Sequence, residues 1–154
     1  MVIHGVVKKT LSLRDRAIAY LARREHSRSE LAGKLARHAE DPDEIPPLLD
    51  ELVRRKLLSD NRYAEARVHA LARRFGVTRI ESELRAQGVD RAAIAHATRD
   101  ARTTEIASAR EAWRKRFGTP PKDALERARQ MRFLRGRGFS YEAIRKAVGA
   151  PEED

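Results

Sequence analysis

The same pattern of apolar residues occurs three times in this chain, at intervals of about fifty residues, and a glycine follows the first apolar marker in the second and third copies. Leu84, Gly88 and Ile94 mark its central copy. The matching positions of the other copies are Leu35 and Ile45 before it, and Leu134, Gly138 and Ile144 after it. Such a period indicates stacked supersecondary units that close each other's cores. Chance spacing of helices is the alternative, but the glycines align as well as the apolar positions.

Each copy is predicted to be a short amphipathic helix, a stop and the start of another helix. The stop is a glycine in the second and third copies and the charged break Glu40-Asp41-Pro42-Asp43 in the first. In the central copy, Ile80 and Leu84 lie on one helical face. Thr78 is the expected N-cap, with a glutamate three places later to complete a capping box. Gly88 stands where a helix ends in a left-handed residue, and Asp90 is expected to cap the next helix.

The apolar periodicity over the whole chain predicts an all-α fold of three tandem, stacked three-helix repeats that resemble helix-turn-helix units. The other expected caps are Ser12, Ser27, Ser59 or Asp60, Thr104, Asp123 and Ser140. The predicted segments are a tail at 1–11, repeats at 12–60, 61–103 and 104–150, and an acidic tail at 151–154.

The helix that follows Asp123 is predicted to carry two parallel ridges. The first ridge is apolar and consists of Leu125, Ala128, Met131 and Leu134. Arg129, Arg132 and Arg135 form the second ridge beside it. We expect the apolar ridge to pack inward and the arginine ridge to face solvent.

Positive charge is concentrated in the second and third repeats. The net charge of the 154 residues is +10. Residues 12–60 balance ten basic against ten acidic residues, whereas 61–103 carry nine against five and 104–150 carry twelve against five. This distribution favours docking of one end on a polyanion or an acidic protein surface, and solvated helix faces are the alternative interpretation.

The chain has neither cysteine nor an apolar run near the roughly 18 residues that a membrane span needs. Its histidines stand singly, which argues against a metal site, and no glycine-rich phosphate loop or nucleophile motif is present. The acidic cluster around Asp41 and Asp43 suits a chain break and a helix start better than Mg²⁺. We therefore predict a cytoplasmic protein that is not an enzyme and has no cofactor, metal or membrane partner.

Three-helix units with charged helices also suggest a DNA-binding module. Base readout would require a helix that presents Arg, Asn or Gln to base edges. The chain has many arginines, but its one Asn and few Gln are poorly placed for a recognition face. DNA, single- or double-stranded, would instead be bound through its phosphates, with strong salt dependence and little sequence preference.

Five motifs in a fixed order over about residues 13–149 resemble the RecX family, the regulators of the RecA recombinase. The motifs are Leu21-x-x-Arg24-x-His26-Ser27-x-x-Glu30-Leu31-x-x-Lys34-Leu35, Ile45-x-x-Leu48-Leu49-x-x-Leu52, Leu57-Leu58-Ser59-Asp60-x-Arg62-Tyr63-Ala64, Gly76-x-x-Arg79-Ile80-x-x-Glu83-Leu84-x-x-x-Gly88-Val89 and Phe133-Leu134-x-x-Arg137-Gly138-Phe139-Ser140. The chain departs mildly from the family pattern, with Tyr63 where phenylalanine is common and prolines at 46 and 47.

The resemblance implies a monomer that binds active RecA–DNA filaments in their helical groove, with its repeats in an elongated curved array. It also implies inhibition of RecA ATP hydrolysis, strand exchange and coprotease activity, and so control of recombinational repair and the SOS response. The basic repeats would then face acidic RecA surface or DNA phosphates.

Exposed arginines are the best candidates for partner contact, because most motif residues are expected to cap, pack or turn. The first group is Arg79 and Arg85 in the second repeat, with Arg129, Arg132, Arg135 and Arg137 in the third. The second group is Arg23, Arg24, Arg73 and Arg74.

Overall fold

The computed structural model describes residues 10–149, which form nine α-helices and no β-strand. The helices are α1 Leu13–Arg23, α2 Arg28–Ala36, α3 Ile45–Arg54, α4 Asp60–Leu71, α5 Val77–Ala86, α6 Arg91–Thr103, α7 Glu105–Arg116, α8 Ala124–Gly136 and α9 Tyr141–Val148. A 3₁₀ turn, Pro42–Glu44, leads into α3. Except for Thr10 and Leu11, the predicted tails at 1–11 and 151–154 lie outside the described residues.

Most helix boundaries form as the local sequence predicts. The side chains of Ser12, Ser27, Asp90, Asp123 and Ser140 each accept a hydrogen bond from the backbone N–H three residues later. Gly88 and Gly138 adopt the left-handed conformation, with φ of 76° and 84°. The five side-chain hydrogen bonds satisfy backbone N–H groups that have no partner inside the helix, so each of these helices starts at a defined residue.

One predicted cap is wrong, and a second holds its position without making the cap hydrogen bond. The N-cap of α5 is Gly76 instead of Thr78, and no side chain of its own segment caps that helix. Thr104 stands at the N-cap of α7, but its hydroxyl donates back to the carbonyl oxygens of Asp100 and Ala101. Because α6 ends one residue earlier, Thr104 joins α6 to α7 and does not start α7 by capping.

The predicted apolar ridge of α8 is also wrong in part. Leu134 is fully buried, but Leu125 is 81% exposed and Ala128 is exposed as well. The other buried residue of α8 is Gln130, whose side-chain oxygen accepts from Trp113 Nε1 at 2.8 Å. Its amide nitrogen donates to the Thr119 carbonyl oxygen at 3.1 Å, so the buried amide is paired at both ends. The inward face of α8 is therefore rotated toward Gln130.

The chain divides into two compact units, Met1–Ser59 and Asp60–Asp154. In the first, α1, α2 and α3 enclose one hydrophobic core. Its fully buried members include Ala17, Leu31, Leu35 and Leu52.

The second unit contains six helices and two cores. Helices α4–α6 enclose a core that includes Ile80 and Leu84, and α7–α9 enclose another that includes Leu134 and Ile144. Helices α6 and α7 contact each other. The second unit thus holds two three-helix domains, and their junction shapes the surface that concerns function.

Candidate partner-binding surface

The ten predicted arginines do not form one surface. Arg23 and Arg24 lie in the first unit, where the Arg24 guanidinium donates to Glu30 at 2.8 and 3.1 Å. Desolvation is the largest single influence and raises the pKa of Glu30, but the hydrogen bond from Arg24 and the charges of Arg24, His26 and Lys34 together lower it below the ordinary value. Arg24 therefore has a structural role at the start of α2. The other eight arginines belong to the second unit.

Arg129, Arg132 and Arg135 form an exposed ridge along α8, as the spacing predicts. Within residues 10–149, none of the three side chains makes an ion pair or a hydrogen bond. Three neighbouring guanidinium groups without carboxylate partners repel one another weakly in water, and an anion laid along them relieves that repulsion. We call these three residues the α8 ridge.

Arg73, Arg74, Arg79 and Arg137 come together where the second and third three-helix domains meet. The centre of this junction is a close backbone crossing, in which the Gly76 N–H donates to the Arg137 carbonyl oxygen at 2.8 Å. A Cβ atom at Gly76 would overlap the backbone of Gly138, and one at Gly138 would overlap Arg79. Glycine is therefore required at both positions by the approach of two segments that are distant in sequence.

Glu105, the first residue of α7, connects three helix starts at this junction. Its Oε1 accepts from the Val77 N–H at 3.3 Å and from the Ser140 N–H at 3.1 Å. Val77 begins α5, and Ser140 is the N-cap of α9. The missing cap of α5 is thus supplied by a carboxylate of the neighbouring domain, where the helix dipole favours negative charge.

Phe75 brings together the arginines of the junction. The guanidinium carbons of Arg79 and Arg137 lie 4.2 and 5.2 Å from the centroid of its ring. Arg79 also donates to the Gly136 carbonyl oxygen at 3.4 Å, and Arg137 donates to that of Arg74 at 3.5 Å. The two hydrogen bonds and the contact of Arg137 with Phe75 cross between domains, so Arg79 and Arg137 support the junction whatever else they contact.

Arg85 stands apart from the junction and the α8 ridge. It lines a cleft between α5 and α6 together with Arg91 and Arg102, and Arg102 is paired with Glu81. Local periodicity did not single out Glu105 or Phe75, because Glu105 binds Val77 and Phe75 contacts Arg137, each in another repeat. The glycines at 76 and 138 are a signal in the sequence, although the pattern at Gly138 predicts only a helix end.

In the described part of the chain, no three His, Asp or Glu side chains are arranged to hold a metal ion. None of the helices between residues 10 and 149 is long and apolar enough to cross a membrane.

Family models place three RecX domains along the chain, in order. The first three-helix domain matches residues 14–52, the second 59–97 and the third 103–148. The chain belongs to the RecX family. The helices of the structure fall into the same three groups, so the expected all-α fold of three-helix repeats is confirmed.

Curated relatives agree with this membership. The regulatory protein RecX of Leptothrix cholodnii is 54% identical over 138 residues, which cover 90% of this chain and 88% of that protein. The regulatory protein RecX of Herminiimonas arsenicoxydans is 45% identical over 149 residues, covering 97% of this chain and 99% of that protein. The chain is therefore a member of a family of regulatory proteins.

The fold is also found in solved structures. A crystal structure of RecX from Lactobacillus salivarius matches with a TM-score of 0.73 at 22% identity, over 86% of this chain and 89% of that chain. A second crystal structure of a regulatory protein RecX matches with a TM-score of 0.71 at 20% identity, over 85% of this chain and 70% of that chain. At these identities the likeness concerns the fold alone.

Proposed function

We propose that this protein binds RecA filaments on DNA and restrains them. It would lodge in the helical groove of the filament and inhibit ATP hydrolysis, strand exchange and coprotease activity. It would thereby moderate recombinational repair and the SOS response, acting in the cytoplasm as a monomer without catalytic chemistry of its own. The observation that carries this proposal is the ordered match of all three RecX domains.

The geometry of the second unit supports a regulator that presents its contacts to the filament at fixed positions. A protein that restrains a regular filament has to present contacts at fixed spacing, and two domains that move freely would lose affinity to the entropy of ordering. The Gly76–Gly138 crossing and the shared Glu105 carboxylate hold the second and third domains in one arrangement. The α8 ridge lies on the exposed side of α8 in the third domain, where its guanidinium groups are accessible to a partner.

The α8 ridge also favours a second candidate, a DNA-binding module without sequence preference. Arginines spaced along an exposed helix can follow a phosphate backbone, and phosphate contacts carry no sequence information directly. Each phosphate contact contributes about −0.7 to −0.9 to the slope of log affinity against log salt. Loss of three contacts should therefore reduce the magnitude of that slope by about 2 to 3.

The test measures ATP hydrolysis by preformed RecA filaments on single-stranded DNA, titrated with this protein at moderate salt. A decline at amounts well below one molecule per RecA, with DNA in excess, is the result expected for a filament regulator. No decline, together with salt-sensitive binding to naked DNA, would overturn the proposal in favour of the DNA-binding module.

Charge reversal then tests whether the α8 ridge is the surface that contacts the filament. The variant Arg129→Glu/Arg132→Glu/Arg135→Glu should require at least about tenfold more protein for half inhibition, since each lost exposed contact costs up to about 1 kcal/mol. Arg37→Glu/Arg145→Glu, at two exposed arginines outside the junction and the α8 ridge, is the matched control and should inhibit normally. Unchanged inhibition by the triple variant, with helix content intact, would remove the α8 ridge from the interface.

A further inference from the structure

A cleft with a volume of about 240 Å³ opens at the junction between the second and third three-helix domains. Its walls come from the connection between α4 and α5, from α7, from α8 and from the segment that follows α8. Its lining residues are Arg73, Arg74, Glu111, Ala112, Lys115, Arg116, Phe133 and Arg137. Both domains contribute, so the cleft has this shape only while the junction is intact.

The lining carries five basic side chains and a single carboxylate, that of Glu111. Glu111 is already paired with Arg114 at 2.6 Å and with Lys115 at 3.7 Å. The hydrogen bond from Arg114 lowers the pKa of Glu111, which keeps this carboxylate ionised and engaged. Across residues 10–149, the side chains of Arg73, Arg74, Arg116 and Arg137 form no ion pair. The cleft therefore retains a large excess of positive charge.

Aromatic rings hold three of these arginines, Arg74, Arg116 and Arg137, in place without neutralising them. The guanidinium carbons of Arg116 and Arg137 lie 5.7 and 5.1 Å from the centroid of Phe133. Arg74 and Arg137 lie 5.6 and 5.2 Å from the centroid of Phe75 in the same way. A ring face attracts a cation but carries no net charge. The positive field of the cleft is thus fixed in position and still available to an anion.

Part of the cleft lining is apolar, because it includes Ala112 and Phe133. The ring of Phe133 also packs against that of Phe117 in a T-shaped arrangement, with 5.4 Å between the centroids. A phosphate group gains nothing from an apolar surface, whereas an apolar side chain placed on it leaves water. An extended phosphate backbone also suits the exposed, linear α8 ridge better than a small concave cleft. These features select a ligand that combines carboxylates with one apolar anchor.

We propose that this cleft binds an acidic protein segment in which carboxylates flank one aromatic side chain. The aromatic group would lie on Phe133 and Ala112, while the carboxylates pair with Arg73, Lys115 and Arg116. Planar guanidinium groups bind carboxylates through two parallel hydrogen bonds, which gives such a pairing direction as well as strength. This inference rests on the proposed function, because it identifies the chemistry of the partner surface that the regulator contacts.

The test uses two synthetic peptides with blocked ends, Glu-Asp-Phe-Asp-Glu and Glu-Asp-Ala-Asp-Glu, titrated calorimetrically into the full-length protein. We expect the phenylalanine peptide to bind at least about fivefold more tightly, because aromatic burial adds to the same charge pairing. Lys115→Glu/Arg116→Glu should weaken its binding at least about tenfold, while Arg37→Glu/Arg145→Glu should leave it unchanged. Equal affinity of the two peptides, or no effect of the cleft variant, would overturn the proposal.

A short oligothymidylate is titrated in parallel. If it binds more tightly than the phenylalanine peptide and loses that binding in Lys115→Glu/Arg116→Glu, the occupant is nucleic acid and the proposal is overturned. Circular dichroism and thermal unfolding of each variant confirm that a loss of binding is not a loss of fold.

Filament assays separate the failure of this inference from the failure of the proposed function. If Lys115→Glu/Arg116→Glu inhibits RecA ATP hydrolysis as well as the parent protein, the regulatory function stands and the cleft is not its contact. If the parent protein binds the phenylalanine peptide but does not inhibit RecA, the cleft stands and the partner is a different acidic protein. If the regulatory function and the cleft proposal are both correct, an excess of the phenylalanine peptide should relieve the inhibition of RecA ATP hydrolysis.

Discussion

At the scale of single residues, two glycines at the junction are required by contact. Gly76→Ala should destabilise the protein by about 1–3 kcal/mol, because its methyl group would meet the Gly138 backbone, which cannot move as a side chain can. Gly138→Ala adds the cost of a left-handed conformation to an overlap with Arg79. Gly136→Ala is the matched control, since nothing lies within 4 Å of an added Cβ at that helical position. Alanine there should be neutral or slightly stabilising in urea unfolding.

His26 makes the stability of the first unit depend on pH. The ring is 1% exposed; Nε2 lies 2.7 Å from Lys34 Nζ, and Nδ1 lies 3.0 Å from the Arg24 carbonyl oxygen. Because an ammonium group only donates, Nε2 accepts and Nδ1 carries the proton of a neutral ring. Burial is the largest cause that lowers the pKa of His26 below 6.5, with the charges of Arg24 and Lys34 acting in the same direction. The Arg24 carbonyl oxygen and Glu30 oppose this shift.

The sign of the pH dependence follows from the direction of that shift. As the pH falls below about 6.5, the unfolded chain takes up a proton at this histidine before the folded chain does, so the free energy of unfolding falls. Above that pH both states are neutral, and the His26 contribution is fully present. Urea midpoints at pH 7.5 and 5.5 should therefore differ more for the parent protein than for His26→Gln. His38→Gln, at an exposed histidine, is the control for removing a histidine. If the urea midpoint shifted equally with pH in the parent protein and in His26→Gln, His26 would not be the origin of the pH dependence.

At the scale of elements, helix starts could be predicted from sequence wherever the interaction is local. Ser27 and Asp90 cap as expected because donor and acceptor are three residues apart. Thr78 failed as a cap because Glu105, 28 residues from Val77, supplies the acceptor at the start of α5. The inward face of α8 was placed wrongly since the Trp113 indole gives a buried partner to Gln130, which periodicity treats as polar and exposed.

The candidate site likewise has a part that the sequence predicts and a part that it does not. The α8 ridge could be predicted because helical spacing alone exposes it. The cleft could not, because its walls join residues far apart in sequence, as in the contact of Arg137 with Arg74 across 63 positions. Single-sequence patterns contain no information about which side chains of different repeats meet.

Glu105 offers a direct test of how helices of neighbouring domains are joined. Glu105→Ala should destabilise the second unit by about 1–3 kcal/mol, because the Val77 and Ser140 N–H groups lose their acceptor. Glu105→Gln should cost less, since its amide oxygen can still accept but carries no full charge. Glu142→Ala removes an exposed carboxylate whose partner is Lys146, and it should change stability by less than about 1 kcal/mol. Equal effects of Glu105→Ala and Glu142→Ala in thermal unfolding would contradict this role.

At the scale of the whole molecule, three cores are organised into two units, and this predicts how a defect spreads. Leu52 and Leu134 are both fully buried, Leu52 in the core of the first unit and Leu134 in the core of α7–α9. Replacing either by alanine should cost about 2–5 kcal/mol. Leu52→Ala should accelerate amide hydrogen exchange in α1–α3 and leave α4–α9 protected. Leu134→Ala should accelerate exchange throughout α4–α9, because the glycine crossing and Glu105 make folding of one domain depend on the other. If Leu134→Ala accelerated exchange only in α7–α9, the second and third domains would be separate folding units. The cleft between them would then have no fixed shape.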